Sequence, residues 1–345
     1  MNINNLVRKN VQKLQPYSSA RDEFKDFGKK MIYLDANENP FENGVNRYPD
    51  PHQKTVKQVL SEIKNISTEN ILLGNGSDEV LDLVFRGFCE PAQDNVIITP
   101  PTYGMYKVCA DVNNVECREA LLNEDFSLNT DRILAQIDNN TKVIFLCSPN
   151  NPTANNLSIE SFEFILKNVN CLVVIDEAYI DFSTQPSWTS RLSEFPNLIV
   201  CQTLSKAYGM AGIRLGMAFA NTQIIEVFKK IKAPYNVNKL TQEKAMELLA
   251  DTEGYKNRLA EIISEREELI DTLKKLSFVQ TIYPTDANFV LFKVDDANKR
   301  YNQLLDKGIV VRNRTKEPLC ENCLRITIGT KEENNAVIAE LEKLN

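Results

Sequence analysis

One lysine in this chain stands where a neutral amine could act as a nucleophile. The segment LIVCQTLSKAYGMAGIRLG (198–216) runs from an apolar strand through Thr203, Ser205 and Lys206 into small residues, and then to Arg214. The neighbours of Lys206 are apolar or small, which predicts a position away from bulk water. A lysine held that way has a lowered pKa and reacts as a free amine, the state a Schiff-base lysine needs. Hydroxyls one and three residues before it and a guanidinium eight after it are suited to a phosphate. Together they describe an aldehyde cofactor anchored by its phosphate beside the amine it condenses with.

The stretch TLSKAYGMAG (203–212) resembles, position for position, the lysine motif of class-II aminotransferases of the aspartate-aminotransferase fold, and IRLG (213–216) extends the match. The resemblance implies pyridoxal 5'-phosphate as cofactor, bound as a Schiff base on Lys206, with Thr203, Ser205 and Arg214 near its phosphate. It also gives meaning to four other segments. In VVIDEAYIDF (173–182), Asp176 ends a buried strand, a costly place for a carboxylate without a partner. A protonated pyridine nitrogen is a fitting partner and a cationic ring is a better electron sink; Tyr179 then matches the donor to the ring phenolate oxygen. In LCSPNNPTANN (146–156), Asn151 matches a second donor to that oxygen, and Ala154 replaces the usual glycine. If that position needs a positive φ, alanine is strained there. In ILLGNGSDEVLDLVF (71–85), Ser77 or Asp78 caps a helix whose N–H groups suit an anion, so the backbone of both is assigned to the phosphate. In TPPTYGMY (99–106), Tyr103 matches the aromatic residue that stacks on the ring.

DANENPF (35–41), RYPDP (47–51), QPYSSAR (15–21), GIVVRNR (308–314) and LRITIGT (324–330) narrow the resemblance to the histidinol-phosphate aminotransferase subfamily, over nearly the whole chain. This implies a homodimer in which Tyr48 reaches the second copy's cofactor phosphate, with Tyr17, Arg312 and Arg325 binding substrate. The implied partners are L-histidinol phosphate and glutamate or 2-oxoglutarate, exchanged in a ping-pong reaction with Lys206 as proton carrier. Arg325 pairs with carboxylate or phosphate alike through its planar fork. The same phosphate-reading arginines would serve a phosphothreonine decarboxylase, and an aromatic or broad-range aminotransferase shares the rest. A pyridoxal-phosphate-binding regulator and a non-enzymatic scaffold are the readings from other classes.

Elements must position these groups. Near-continuous apolar runs at 71–73, 96–99, 143–147, 172–176, 198–202 and 217–220 alternate with helical periodicity. Strands buried on both faces look like this. They predict an α/β domain with a mostly parallel sheet sandwiched by helices. Beyond residue 240 a long helix near 250–275, strands near 288–294, 308–312 and 324–328, and helices at 297–308 and 331–344 predict a smaller α+β domain. The divisions are an N-terminal arm (1–30) with one short helix, a large cofactor-binding domain (31–240) and a C-terminal domain (241–345). The chain is acidic, with 40 basic and 47 acidic residues for a net charge of -7, which argues against nucleic acid or an anionic membrane as partner. No secretion signal or membrane span is legible, so a cytoplasmic setting is expected. Eight cysteines are mostly scattered; only Cys320 and Cys323 form a C-x-x-C, and with His52 the single histidine no metal site is expected. His52 is given no role.

Overall fold

The computed structural model describes residues 2–17 and 32–344. The strands β1 (Ile71–Asn75), β2 (Asn95–Ile98), β3 (Glu116–Glu119), β4 (Thr141–Cys147), β5 (Leu172–Asp176), β6 (Leu198–Thr203) and β7 (Leu215–Ala220) form one sheet in the order β1-β7-β6-β5-β4-β2-β3. All are parallel except β7, which runs antiparallel to both β6 and β1. The apolar runs are continuous because both faces are covered. Alternate residues fall into two separate cores: Ile144, Leu146, Val173 and Ile175 face one, while Val143, Phe145, Leu172 and Val174 face the other.

The helices α1 (Lys9–Lys13), α2 (Lys54–Lys64), α3 (Gly76–Phe88), α4 (Met105–Val112), α5 (Thr130–Ala135), α6 (Ile159–Asn168), α7 (Thr222–Ile231) and α8 (Lys239–Leu249) accompany this sheet. Ile3, Val7 and Val11 are buried in the same core as Phe88 and Phe228, so the first residues dock onto the sheet layer. Residues 18–31, which include the end of QPYSSAR and the second part of the expected arm, lie outside the described residues.

The second unit opens with α9 (Thr252–Leu273). Its sheet, in the order β10-β11-β9-β8, is antiparallel throughout and contains β8 (Val279–Ile282), β9 (Phe289–Val294), β10 (Arg312–Asn313) and β11 (Cys323–Thr327). With α10 (Ala297–Leu305) and α11 (Lys331–Lys343), it closes a third core around Leu273, Phe292, Leu304 and Leu341. A reciprocal cap between Thr330 and Glu333 starts α11. The run expected at 308–312 pairs only at its end, as the two-residue β10. The break at residue 240 falls inside α8, whose Ala245 and Leu249 belong to the first core. We propose that the division between units falls after α8.

Paired residues put the working ends of three strands level. Cys147 on β4 lies beside Asp176 on β5, which lies beside Cys201 on β6. The loops that follow these carboxyl ends carry Asn151, Tyr179 and Lys206 into one crevice, the usual place for a ligand in an open α/β sheet.

Candidate functional site

The crevice is a cavity of about 250 Å³ lined by Ser77, Asp78, Tyr103, Asn151, Asp176, Tyr179, Thr203, Ser205, Lys206, Arg214 and Arg325, together with Cys147 and Ala178. Eleven residues singled out in the sequence are thus gathered from six segments. Tyr48, Tyr17 and Arg312 are not among them. Tyr48 stacks on Tyr235 at 4.5 Å and lines a separate depression with Arg47 and Lys239. Tyr17 is 73% exposed. Arg312 is exposed on β10, opposite Arg325 on β11.

Lys206 follows β6 through a tight turn in which Thr203 Oγ1 and Ser205 Oγ are 3.0 Å apart. The sequence predicts a lysine withheld from water; in the single chain it is exposed, because it stands in an open crevice and not inside a core. Its amine is still held below the usual lysine pKa, first by desolvation and then by the charge of Arg325, against the pull of Asp176 and Asp78. The Nζ lies 5.5 Å from the centre of the Tyr179 ring.

Asp176 is 2% exposed. Burial pushes its carboxyl up to about 6, opposed by hydrogen bonds from the Tyr106 hydroxyl (2.8 Å) and the Ala178 N–H (3.1 Å). Tyr106 carried no signal of its own in the sequence beyond its place at the end of TPPTYGMY. The adjacent Glu177 points the other way. It accepts from Ser187 Oγ, the Trp188 N–H and Gln202 Nε2, and burial pushes it up to about 7.

The anion-binding corner differs in one detail from the sequence reading. The helix α3 starts at Gly76 with Asn75 at its N-cap, so Ser77 and Asp78 lie inside the first turn and do not cap it. Gly76, at φ +75, makes the turn, and its N–H is taken by the Arg214 carbonyl. The N–H groups of Ser77 and Asp78 have no partner within the helix. The Asp78 carboxylate accepts from the Tyr103 hydroxyl (3.0 Å) and lies 3.6 Å from Arg214 Nη2.

At the opposite wall, Arg325 Nη1 donates to Asn151 Oδ1 at 2.5 Å, leaving the Asn151 Nδ2 as its remaining donor. The guanidinium lies 5.1 Å from the Phe289 ring, and its Nε is buried among the described residues with no partner. Desolvation, then the influence of nearby Arg314 and Arg312, holds its pKa below the usual value. Ala154 has φ +70, the left-handed value that the motif's usual glycine accommodates.

The cavity residues fit pyridoxal phosphate. A buried carboxylate held charged by donors offers a partner for a pyridinium. Free N–H groups at a helix start and Arg214 suit a phosphate, and an amine with a lowered pKa suits an aldehyde.

Known proteins bear on the same residues. The family model described as aminotransferase class I and II matches residues 18–341. A histidinol-phosphate aminotransferase of Flavobacterium johnsoniae is 62% identical, over 99% of each chain. A crystal structure of the histidinol-phosphate aminotransferase from Clostridium acetobutylicum is 26% identical with a TM-score of 0.80, over 87% of this chain and 91% of that one. The fold is also that of the Sinorhizobium meliloti histidinol-phosphate aminotransferase solved in complex with pyridoxal-5'-phosphate, at 23% identity and TM-score 0.78 over 87% and 84% of the two chains.

Proposed function

Because this chain belongs to the aminotransferase class I and II family, we propose that it moves an amino group between L-histidinol phosphate and 2-oxoglutarate. The products are imidazole-acetol phosphate and glutamate, a step of histidine biosynthesis. The reading is carried by the 62% identity to a histidinol-phosphate aminotransferase across 99% of both chains, an extent over which the site segments are included.

When bound, pyridoxal phosphate supplies an electron sink for charge developing at the substrate Cα. The chain's own groups do the rest. Lys206 is our candidate for the lysine that carries the cofactor and then carries the proton. Its lowered pKa favours the free amine that must act as base. With the cofactor bound, Asp176 would pair with the ring nitrogen, Tyr179 and Asn151 would serve as donors to the ring phenolate oxygen, and Tyr103 would be the aromatic partner of the ring. The N–H groups of Ser77 and Asp78, with Thr203, Ser205 and Arg214, would hold its phosphate. Arg325 takes the substrate's anionic end through its planar fork, which is suited to two oxygens. We assign Arg312 and Tyr17 to the substrate as well, and Tyr48 to the site of a second copy in a homodimer. Eight free cysteines suit a reducing, cytoplasmic compartment.

The test is the visible absorbance of purified protein supplied with pyridoxal phosphate. Histidinol phosphate should bleach the band and 2-oxoglutarate should restore it, while Lys206→Ala should lack the response. A band that answers glutamate and ignores histidinol phosphate would keep the aminotransferase and remove the substrate. Carbon dioxide released from phosphothreonine would favour the decarboxylase.

A further inference from the structure

Tyr106 lies on the first turn of α4, three residues after Tyr103, and its side chain is wholly buried. A buried phenol needs a partner for its hydroxyl, and this one has chosen a carboxylate. Its O–H donates to Asp176 Oδ2 at 2.8 Å, while the Ala178 N–H donates to the other oxygen. The ring is clamped as well. It stacks on Phe145 at 5.1 Å, Phe145 stacks on Phe85 at 5.1 Å, and Tyr103 meets it edge-on at 5.6 Å. One side chain therefore touches both the carboxylate and the cavity-lining aromatic.

We propose that Tyr106 is a positioning residue that keeps Asp176 ionised and fixes the direction of its carboxylate, and thereby sets the negative charge offered to the cofactor ring. This rests on Asp176 being the partner of the ring nitrogen. The surroundings make such a donor necessary. From β4 and β6, Cys147 and Cys201 face Asp176 as buried thiols with their pKa raised, so neither supplies positive charge. From α3, Asp78 disfavours its ionisation. Tyr103 and Tyr179 are neutral, each held protonated mainly by burial. The charge of Lys206 favours the anion, but by less than either hydrogen bond. Tyr106 itself is pushed far above the usual tyrosine range, by burial and then by Asp176, so it stays a donor throughout the working pH range. A hydrogen bond to a charged group is the stronger kind, and it favours the anion over the neutral acid.

The experiment follows the Asp176 carboxyl by infrared difference spectroscopy in cofactor-free protein, with Asp176→Asn identifying the band. Tyr106→Phe keeps the ring and its stacking and removes only the hydroxyl. The titration midpoint of Asp176 should rise by about one to two pH units. In the loaded enzyme the acid limb of the kcat profile should rise with it, with activity recovering at higher pH. A fluorotyrosine placed at position 106 makes a better donor of the same shape and should lower the midpoint. An unmoved midpoint in both variants overturns the inference, as does a loss of activity in Tyr106→Phe that is equal at every pH. If Tyr106→Phe does not fold, the fluorotyrosine variant decides alone. The infrared result is obtained without cofactor or substrate. Failure of the proposed function would instead show as a loaded enzyme that ignores histidinol phosphate while the midpoint still shifts.

Discussion

Two residues without functional groups shape the backbone of the site, and one of them decides whether the anion corner can exist. On β7, Gly216 lies opposite Gly74 on β1, and a methyl group there would fall on the backbone of Gly76 and Ser77. Backbone cannot step aside as a flexible side chain can. Gly216→Ala should therefore push the start of α3 away and destabilise the protein by about 3 kcal/mol, the upper end for overpacking. Affinity for pyridoxal phosphate should fall with it; thermal unfolding and a cofactor titration read the two effects. Ala154 is the opposite case. Its left-handed φ of +70 costs about 1–2 kcal/mol, but its methyl is buried against Tyr179 and Phe289, worth about 0.8 kcal/mol. Glycine would also lose about 0.5–1 kcal/mol to chain entropy. Ala154→Gly should thus change stability by less than about 1 kcal/mol, which denaturant unfolding can check. The sequence flags both positions, one by a glycine cluster among few glycines and the other by a departure from a motif. It does not carry the reason for Gly216, because the colliding atoms lie some 140 residues earlier in the chain.

Between elements, polar pairs hold the site-bearing loops in place. Lys64 at the end of α2 meets Asp181, two residues after Tyr179, at 3.3 Å, and lies 5.6 Å from the ring of Tyr208, two residues after Lys206. Burial alone would lower the Lys64 pKa, yet Asp181 and then Tyr208 outweigh it and raise it. Both partners are about 85% buried, at 13% and 15% side-chain exposure. Asp181→Asn leaves the lysine charge uncompensated and should cost on the order of 3 kcal/mol. A Lys64→Met, Asp181→Leu double variant should lose less than the two single changes added together. Asp176 and Glu177 set a pH dependence of opposite kind to the usual carboxylate. Their folded pKa values, about 6 and about 7, lie above the ordinary 3.8 and 4.5. The stability they favour is present at low pH and is lost as pH rises through about 6 and 7. Their contribution to unfolding of the cofactor-free protein should fall by on the order of 3 kcal/mol each, between pH 3.8 and about 6 for Asp176 and between pH 4.5 and about 7 for Glu177, and Asp176→Asn should remove the Asp176 part. The elements themselves are readable where both faces are buried, since β4, β5 and β6 are built on the apolar runs VIFLC, LVVI and LIVC. They were not readable at the edges. β3 is the polar sequence ECRE, and β8 is a half-exposed four-residue strand, VQTI. The reversed direction of β7 leaves no mark on an apolar run.

At the scale of the whole molecule, the cavity in one chain lacks the aromatic residue that the sequence assigns to its phosphate. Tyr48 is 52% exposed and faces another depression, which exposed Val45 and Leu240 also line. Apolar side chains grouped on a surface mark a contact with another protein, and a twofold pair would give each site the other chain's Tyr48. That role was legible only through the resemblance, since neither spacing nor periodicity in one chain can reveal what a second copy supplies. The two arrangements predict different outcomes when damaged chains are combined. Tyr48→Ala should retain pyridoxal phosphate poorly, and Lys206→Ala should be inactive. If Tyr48 serves the neighbouring site, a mixed pair has one site with its own Lys206 and an intact Tyr48 from the other chain. Random pairing on co-expression then restores about one quarter of the wild-type sites. If Tyr48 serves its own chain, every site in the mixture carries one of the two defects and activity stays at the sum of the parents. Assaying the co-expressed pair against each parent at equal total protein separates the two cases.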